Sequence, residues 1–293
     1  MGRNAQKAFI NFNGTGGIWR KACILESGNW QDDTLTEDLD LSYRAQQKGW
    51  KFIYRPDIES PAELPPVMSA IKSQQFRWTK GGAECASKHL LNVWKLDLGL
   101  KTKIHATAHL LNSVIFIAVL LVSISSIPVF FGFYAGLLPL ELFRSAAIFL
   151  IGFVVIALVY FFANLSLLNY SVKAILRFAW ELPLFLSVSM GLALHNGQAV
   201  WEGLSGKKSP FIRTPKYNLS SGNKLASNAY HEFKVPVTTY FEGLLALVFI
   251  SMVGLTFYLG SFEMLVFHLM LAIGYTLVSV TSFLSYRMGK AEG

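Results

Sequence analysis

Residues 106–140 read ATAHLLNSVIFIAVLLVSISSIPVFFGFYAGLLPL, a run without a single aspartate, glutamate, lysine or arginine. A helix rises 1.5 Å per residue, so roughly twenty such residues cross about 30 Å of hydrocarbon. Further apolar blocks occupy 145–168, 243–260 and 264–283. Four crossings are therefore expected in a chain of 293 residues. The 14% aromatic content and a mean hydropathy of +0.40 agree with a polytopic membrane protein. Buried core helices of a water-soluble protein rarely reach such uncharged lengths.

The net charge of +8 has a position as well as a sign. Lys88, Lys95, Lys101 and Lys103 precede the first block. Lys173, Arg177, Lys207, Lys208, Arg213, Lys216, Lys224 and Lys234 separate the second block from the third. Arg287 and Lys290 follow the last, while the short connections at 136–144 and 261–263 hold only Arg144. This alternation places both termini and the long middle loop in the cytoplasm of a multi-pass protein of the cell (inner) membrane. It assigns the positive charge to the lipid bilayer, with no nucleic acid as partner. Cys23 and Cys85 fall in the cytoplasmic part, where thiols stay reduced, and their spacing matches no metal site. The N-terminus, MGRNAQKAF, carries no secretory signal pattern, so insertion relies on internal spans. One stretch resists a fifth crossing. Residues 178–194 contain Glu181 and Pro183 and run into His195-Asn196-Gly197-Gln198, with Glu202 beyond. Crossing there would move the basic segment 207–224 outside, so a helix lying along the cytoplasmic interface is expected.

The first ninety residues carry charge at ordinary density and read as part of an α/β domain. Asn13-Gly14-Thr15-Gly16-Gly17 is a turn after a short apolar stretch. Thr34 and Glu37 have capping-box spacing ahead of a helix through TEDLDLSYRAQQK, and Gly49 suits its left-handed stop. Trp50–Tyr54 reads as a strand closed by Pro56. Pro65 and Pro66 suit the first turn of a second helix carrying Ile71, Gln75 and Trp78.

Three constellations carry chemistry. Thr36-Glu37-Asp38 puts carboxylates at a helix start, where one serves as a base toward an attacking hydroxyl. Taken alone, the same acids are better explained as complements to the helix dipole. In Gln74-Gln75-Phe76-Arg77-Trp78, Gln74 and Arg77 share a helix face, the arginine suits a diphosphate, and the indole offers a platform for a sugar ring. A solvated face beside a core tryptophan is the plainer alternative. In Phe211-Ile212-Arg213-Thr214-Pro215-Lys216, a hydroxyl and an ammonium two residues apart can close over phosphates, or simply sit near anionic lipid.

In this order and setting the motifs resemble the cellulose synthase-like branch of the processive family 2 glycosyltransferases, which includes cellulose, glucan and mannan synthases. Thr36-Glu37-Asp38 matches the TED motif, Gln74 to Trp78 matches QxxRW, and Phe211 to Lys216 resembles the FxVTxK gating loop, departing at Arg213 where valine is usual. Asn11-Phe12-Asn13-Gly14-Thr15 resembles the acceptor-binding edge before the catalytic helix. The resemblance implies that Asp38 is the general base, with Glu37 and Thr36 beside it. It implies that Gln74, Arg77 and Trp78, with Asn13, Gly14 and Thr15, bind the acceptor end and the diphosphate. Phe211, Thr214 and Lys216 would close over the nucleotide.

The resemblance also implies a fold: α/β plus α-helical membrane, the C-terminal half of a GT-A-type domain followed by four transmembrane helices and an interfacial helix. The expected division is 1–95 for the cytoplasmic catalytic part, 96–172 for two spans, 173–204 for the interfacial helix, 205–236 for the gating loop, and 237–293 for two further spans and a short tail. The implied activity is inverting, processive synthesis of a β-linked glucan, mannan or glucomannan from UDP-glucose or GDP-mannose, with the growing polysaccharide fed through a membrane channel. A divalent metal, Mg²⁺ or Mn²⁺, belongs to that activity. Its DxD motif lies upstream of the FNGT segment in the family, where eleven residues stand here. No metal ligand is therefore expected in this chain, which is expected to be a C-terminal portion, inactive alone. A multi-span transporter and a non-catalytic membrane adaptor are the competing expectations. The transporter needs ionisable groups inside the spans, where Asn112, Asn164 and Asn169 are the main polar candidates.

Overall fold

The computed structural model describes residues 3, 6, 8–14, 16–55, 57–139, 141, 145, 148–167, 171–211 and 235–290. The chain divides into two compact units. The first comprises Met1–Ala118, Leu194–Val235 and Leu284–Gly293. Its helices are α1 (Lys21–Glu26), α2 (Glu37–Gln47), α3 (Met68–Lys95), α4 (Leu100–Leu110) and, later in the chain, α8 (Ala193–Leu204). Its core gathers Phe9, Tyr43, Cys85, Ala86, Val93, Ala106 and Leu110 from three of these helices and the N-terminal segment. Burial drives the Cys85 thiol up to about 12, which leaves it inert.

The helix α2 ends as expected, with Gly49 at φ +86°. Its start departs from the expected capping box. The helix begins at Glu37, and Thr36 makes no side-chain cap bond among the described residues. Contacts to α3 replace the cap. The Leu35 N–H donates to Glu84 Oε2 at 2.7 Å, and Thr36 Oγ1 lies 3.5 Å from Cys85 Sγ. Gly81 makes this docking feasible, since a Cβ there would lie 2.6 Å from Thr36 Cγ2. A mid-helix glycine costs about 1 kcal/mol relative to alanine, and this contact is its compensation. The second expected helix also starts later, at Met68, because Pro65 and Pro66 stay extended ahead of it. Among the described residues there is no strand. Lys51–Tyr54 forms no regular element.

The second unit comprises Val119–Ala193 and Pro236–Phe283. It is built from α5 (Ile115–Tyr134), α6 (Phe149–Leu167), α7 (Val172–Gly191), α9 (Val237–Leu259) and α10 (Leu265–Lys290). Among the described residues four helices are long and apolar enough to cross a bilayer: Asn112–Tyr134, Val172–Gly191, Val237–Leu259 and Leu265–Tyr286. The block at 145–168 contributes a shorter apolar helix, Ile151–Leu165. The segment expected along the interface is two helices, α7 and α8, and α7 itself meets the length and hydropathy of a span. Its one acid, Glu181, is offset by Arg177 one turn earlier, at 2.6 Å.

Small residues let α7 and α10 touch. A Cβ on Gly191 would sit 2.3 Å from the Gly274 carbonyl oxygen, and one on Gly274 would sit 1.8 Å from that of Ser187. The interior of this unit is more polar than its sequence suggested. Glu242 and His268 lie inside α9 and α10 and are fully buried, so ionisable groups do occur within the helices. Both are inconspicuous in the sequence, because Glu242 stands just before the apolar block that starts at Gly243 and a lone histidine adds no formal charge. His268 Nε2 pairs with Ser126 Oγ at 3.1 Å, and Phe249 stacks on Tyr275.

Gly274→Ala must push α7 and α10 apart and should lower the stability of the detergent-solubilised protein by about 1–3 kcal/mol. Gly254→Ala, where nothing lies within 4 Å, is the control that should leave thermal unfolding unchanged.

Candidate active site

One face of α2 builds the centre of the site. Asp38, Ser42 and Gln46 are four residues apart and so fall in line along the helix. The extended segment before the FNGT turn lies along them. The Ile10 N–H donates to Gln46 Oε1 at 2.9 Å, and Gln46 Nε2 donates back to the Ile10 carbonyl at 2.6 Å. The Phe12 N–H donates to Ser42 Oγ at 2.9 Å, and that hydroxyl donates to the Asp38 carbonyl at 2.6 Å. Side chains of a helix thus do for alternate residues what a neighbouring strand does in a sheet. Two residues further on, Gly14 meets the Asp38 carboxylate: a Cβ there would lie 3.2 Å from Oδ2. Its φ of +76° asks for glycine independently.

Asp38 has one oxygen engaged and one turned toward Gly14. Oδ1 accepts the Leu39 N–H at 2.8 Å. Burial raises the pKa of the carboxyl; the Leu39 N–H opposes that, the Glu37 charge adds to it, and the Arg77 charge counters it from α3. Arg77 in turn lies against the ring of Phe211, 4.8 Å from its centroid, a cation–π contact. Gly14 thus lies against Asp38 and Arg77 against Phe211, with the Arg77 charge felt weakly at Asp38. Gln74 shares α3 with Arg77, and Trp78 presents a half-exposed indole. Asn13 is exposed and accepts a bond from the Asn11 amide. Thr36 is turned into the α2–α3 contact rather than into the site. Thr15, Thr214 and Lys216 lie outside the described residues.

Two buried charge clusters support this arrangement, and the sequence did not reveal them. Asp40 is fully buried; Oδ1 meets His89 Nε2 at 2.7 Å and Lys88 Nζ at 2.8 Å, and Oδ2 meets Arg44 Nε at 2.8 Å. Burial alone would raise its pKa, but these three partners outweigh it and hold the carboxyl well below the usual range. The Gln47 amide faces His89 Nδ1 at 3.1 Å, consistent with the proton on Nε2, shared with Asp40. Arg44 also donates to the carbonyls of Ser27 and Asn29, tying the loop after α1 to α2. The i,i+4 spacing of Asp40 and Arg44 was visible in the sequence; Lys88 and His89, some fifty residues away, were not. The second cluster holds the chain leading to Phe211. Lys80, fully buried on α3, donates to Glu202 at 3.3 Å and to the Ser209 hydroxyl. Glu202 also takes Lys207 at 2.7 Å and Gln198 at 3.1 Å. Gly203 lets α8 approach, since a Cβ there would lie 2.6 Å from the Lys80 carbonyl oxygen.

The family 2 resemblance implies a divalent metal. Among the described residues no three His, Cys, Asp or Glu side chains come together to hold one. Asp33 and Asp40 are both engaged by Lys88.

Comparison with known proteins covers the part of the site carried by α2 and α3. The family model described as glycosyl transferase family group 2 matches residues 3–168, more than half of the chain. The chain belongs to this family. It is similar to glucomannan 4-beta-mannosyltransferase 1 of Oryza sativa subsp. japonica, 37% identical over 136 residues, which is 46% of this chain and 25% of that protein. Glucomannan 4-beta-mannosyltransferase 7 of Arabidopsis thaliana is 49% identical over 81 residues, 28% of this chain and 15% of that protein. The chain thus matches a quarter or less of the length of these relatives. No solved structure matches it.

Ser42→Ala removes the acceptor of the Phe12 N–H, a bond worth about 1 kcal/mol, so hydrogen exchange in residues 8–14 should quicken roughly fivefold. Asp40 tests the cluster around it by pH. Its native pKa lies below the unfolded value of about 3.9, so its stabilisation is complete above that pH and is lost as pH falls from there through the lower native pKa. Asp40→Asn should lower stability by about 3 kcal/mol at neutral pH. The deficit should shrink below about pH 4 in thermal unfolding of the same two proteins.

Proposed function

We propose that this chain forms the acceptor side of an inverting, processive glycosyltransferase that extends a β-linked mannan, glucan or glucomannan from GDP-mannose or UDP-glucose. The observation that carries the proposal is the apposition of the Asp38 carboxylate to Gly14, with Arg77 close enough to act on its charge. The similarity to plant glucomannan 4-beta-mannosyltransferases favours mannosyl transfer onto glucomannan.

Asp38 Oδ1 is held by the Leu39 N–H, which leaves Oδ2 as the base. It takes the proton of the acceptor hydroxyl as that oxygen bonds to the anomeric carbon and the bond from carbon to the diphosphate breaks on the opposite face. A carboxyl with raised pKa is a stronger base, and Gly14 leaves room for the hydroxyl. The Arg77 guanidinium, against the ring of Phe211, faces the departing diphosphate charge. Trp78 offers its exposed face to the acceptor sugar. The charge pattern supports a protein with both termini cytoplasmic, and the buried hydroxyls and aromatics of the second unit suit a path for the polymer. A transporter gains some support from Glu242 and His268 within the helices, but that reading gives no role to the Asp38–Gly14 apposition.

Membranes expressing the complete reading frame that contains this chain should convert radiolabelled GDP-mannose or UDP-glucose into a polymer degraded by β-mannanase or β-glucanase. Asp38→Asn should lower the rate by roughly 10²–10⁴ while leaving protein levels unchanged. Polymer made equally by Asp38→Asn would refute the assignment of the base. Because the base works ionised, the rate should fall as pH drops through the raised Asp38 pKa. Arg77→Met removes a charge that lowers that pKa and should move this limb to still higher pH.

A further inference from the structure

The last turns of α3 and the whole of α4 form a hairpin with one buried and one exposed side. The buried side belongs to the core through Val93, Ala106 and Leu110. The Tyr43 hydroxyl, 2.8 Å from His109 Nδ1, also fixes α4 in rotation. What the other side shows is therefore set by the fold. There Leu91, Trp94, Leu100 and Ile104 are 70%, 44%, 63% and 55% exposed. Leu91 and Trp94 are three apart on α3, and Leu100 and Ile104 four apart on α4, so each pair occupies one helical face. The indole is braced: its N–H donates to Thr107 Oγ1 at 2.9 Å, and Lys103 Nζ donates to the Trp94 carbonyl at 3.0 Å.

The charge around these apolar residues is lopsided. Lys95 and Lys101 are exposed and make no ion pair or hydrogen bond among the described residues. Asp97 is the only acid between residues 95 and 140, so the lysines of the hairpin outnumber it by two. Four residues after α4 ends at Leu110, the chain enters α5, where the uncharged run continues. The hairpin is thus tethered within a few residues of a bilayer-crossing segment.

We infer that the exposed side of this hairpin is a docking surface for a leaflet containing anionic phospholipid. Its four apolar side chains enter the boundary between headgroups and acyl chains, with the Trp94 ring at the depth that indoles prefer. Lys95 and Lys101 then meet lipid phosphates, each favouring an anionic headgroup roughly fivefold. Lys103, committed to the Trp94 carbonyl, keeps the indole in place.

The full chain in nanodiscs of phosphatidylcholine with a minority of phosphatidylglycerol tests this. Native mass spectrometry counts the lipids that remain bound after ejection from the disc. Lys95→Gln/Lys101→Gln should lower the ratio of retained phosphatidylglycerol to phosphatidylcholine at least fivefold. Lys21→Gln/Lys51→Gln removes the same charge from exposed positions elsewhere and should leave that ratio unchanged. In discs of brominated phosphatidylcholine, Trp94→Phe should remove part of the quenched tryptophan emission. An unchanged ratio in the first pair, an equal fall in the control pair, or quenching that does not depend on Trp94 overturns the inference. All three readouts are independent of glycosyl transfer, so failure of the proposed activity would not affect them.

Discussion

Much of the first unit depends on a helix standing in for a strand. Residues 10 and 12 direct their backbone groups to the side chains of Gln46 and Ser42, and residue 14 brings bare backbone to the carboxylate of Asp38. The spacing of four along α2 roughly matches a step of two along an extended chain, since both advance about 6–7 Å. That match lets a short segment be held in register without a sheet. It also explains why glycine is demanded at residue 14: the next position in register falls on the carboxylate itself.

The helix that offers this face is held by buried charge. Asp40 points away from the Asp38 face and is surrounded by Arg44, Lys88 and His89, so the same few residues present one acid that is neutralised and one that is not. The two environments push the two pKa values in opposite directions. Divergent environments of this kind separate a structural carboxylate from a reactive one. The Lys80–Glu202 pair plays the matching part at the other end, holding the chain that brings Phe211 over Arg77. Such pairs contribute modestly when intact but cost several kcal/mol when one member is lost, which makes them devices for position more than for stability.

Sequence alone located much of this. The uncharged runs gave the apolar helices, Gly49 gave the end of α2, and Thr36 to Asp38, Gln74 to Trp78 and Phe211 fell on the elements that meet. What it missed has a common cause. The N-terminus of α2 was assigned a local capping box, but its contacts come from Glu84 and Cys85, about fifty residues away. The strand at 50–54 was read from propensity, and pairing depends on a neighbour that propensity does not report. Ser42 and Gln46 looked like ordinary polar positions of an amphipathic helix. Their role appears only when the N-terminal segment is laid beside them. Glu242 and His268 escaped because a single ionisable group at the edge of an apolar run hardly changes its average.

The central claim is that position 14 lies against the carboxylate of residue 38. A thiol introduced as Gly14→Cys would hang from a Cβ 3.2 Å from Asp38 Oδ2, where a neighbouring negative charge disfavours the thiolate. The decisive measurement is the pH dependence of its alkylation rate, with Asp38 present and with Asp38→Asn. The account predicts a thiol pKa above the usual value of about 8.5 that falls toward it when the charge at 38 is removed. A thiol pKa that is the same in both backgrounds would contradict it.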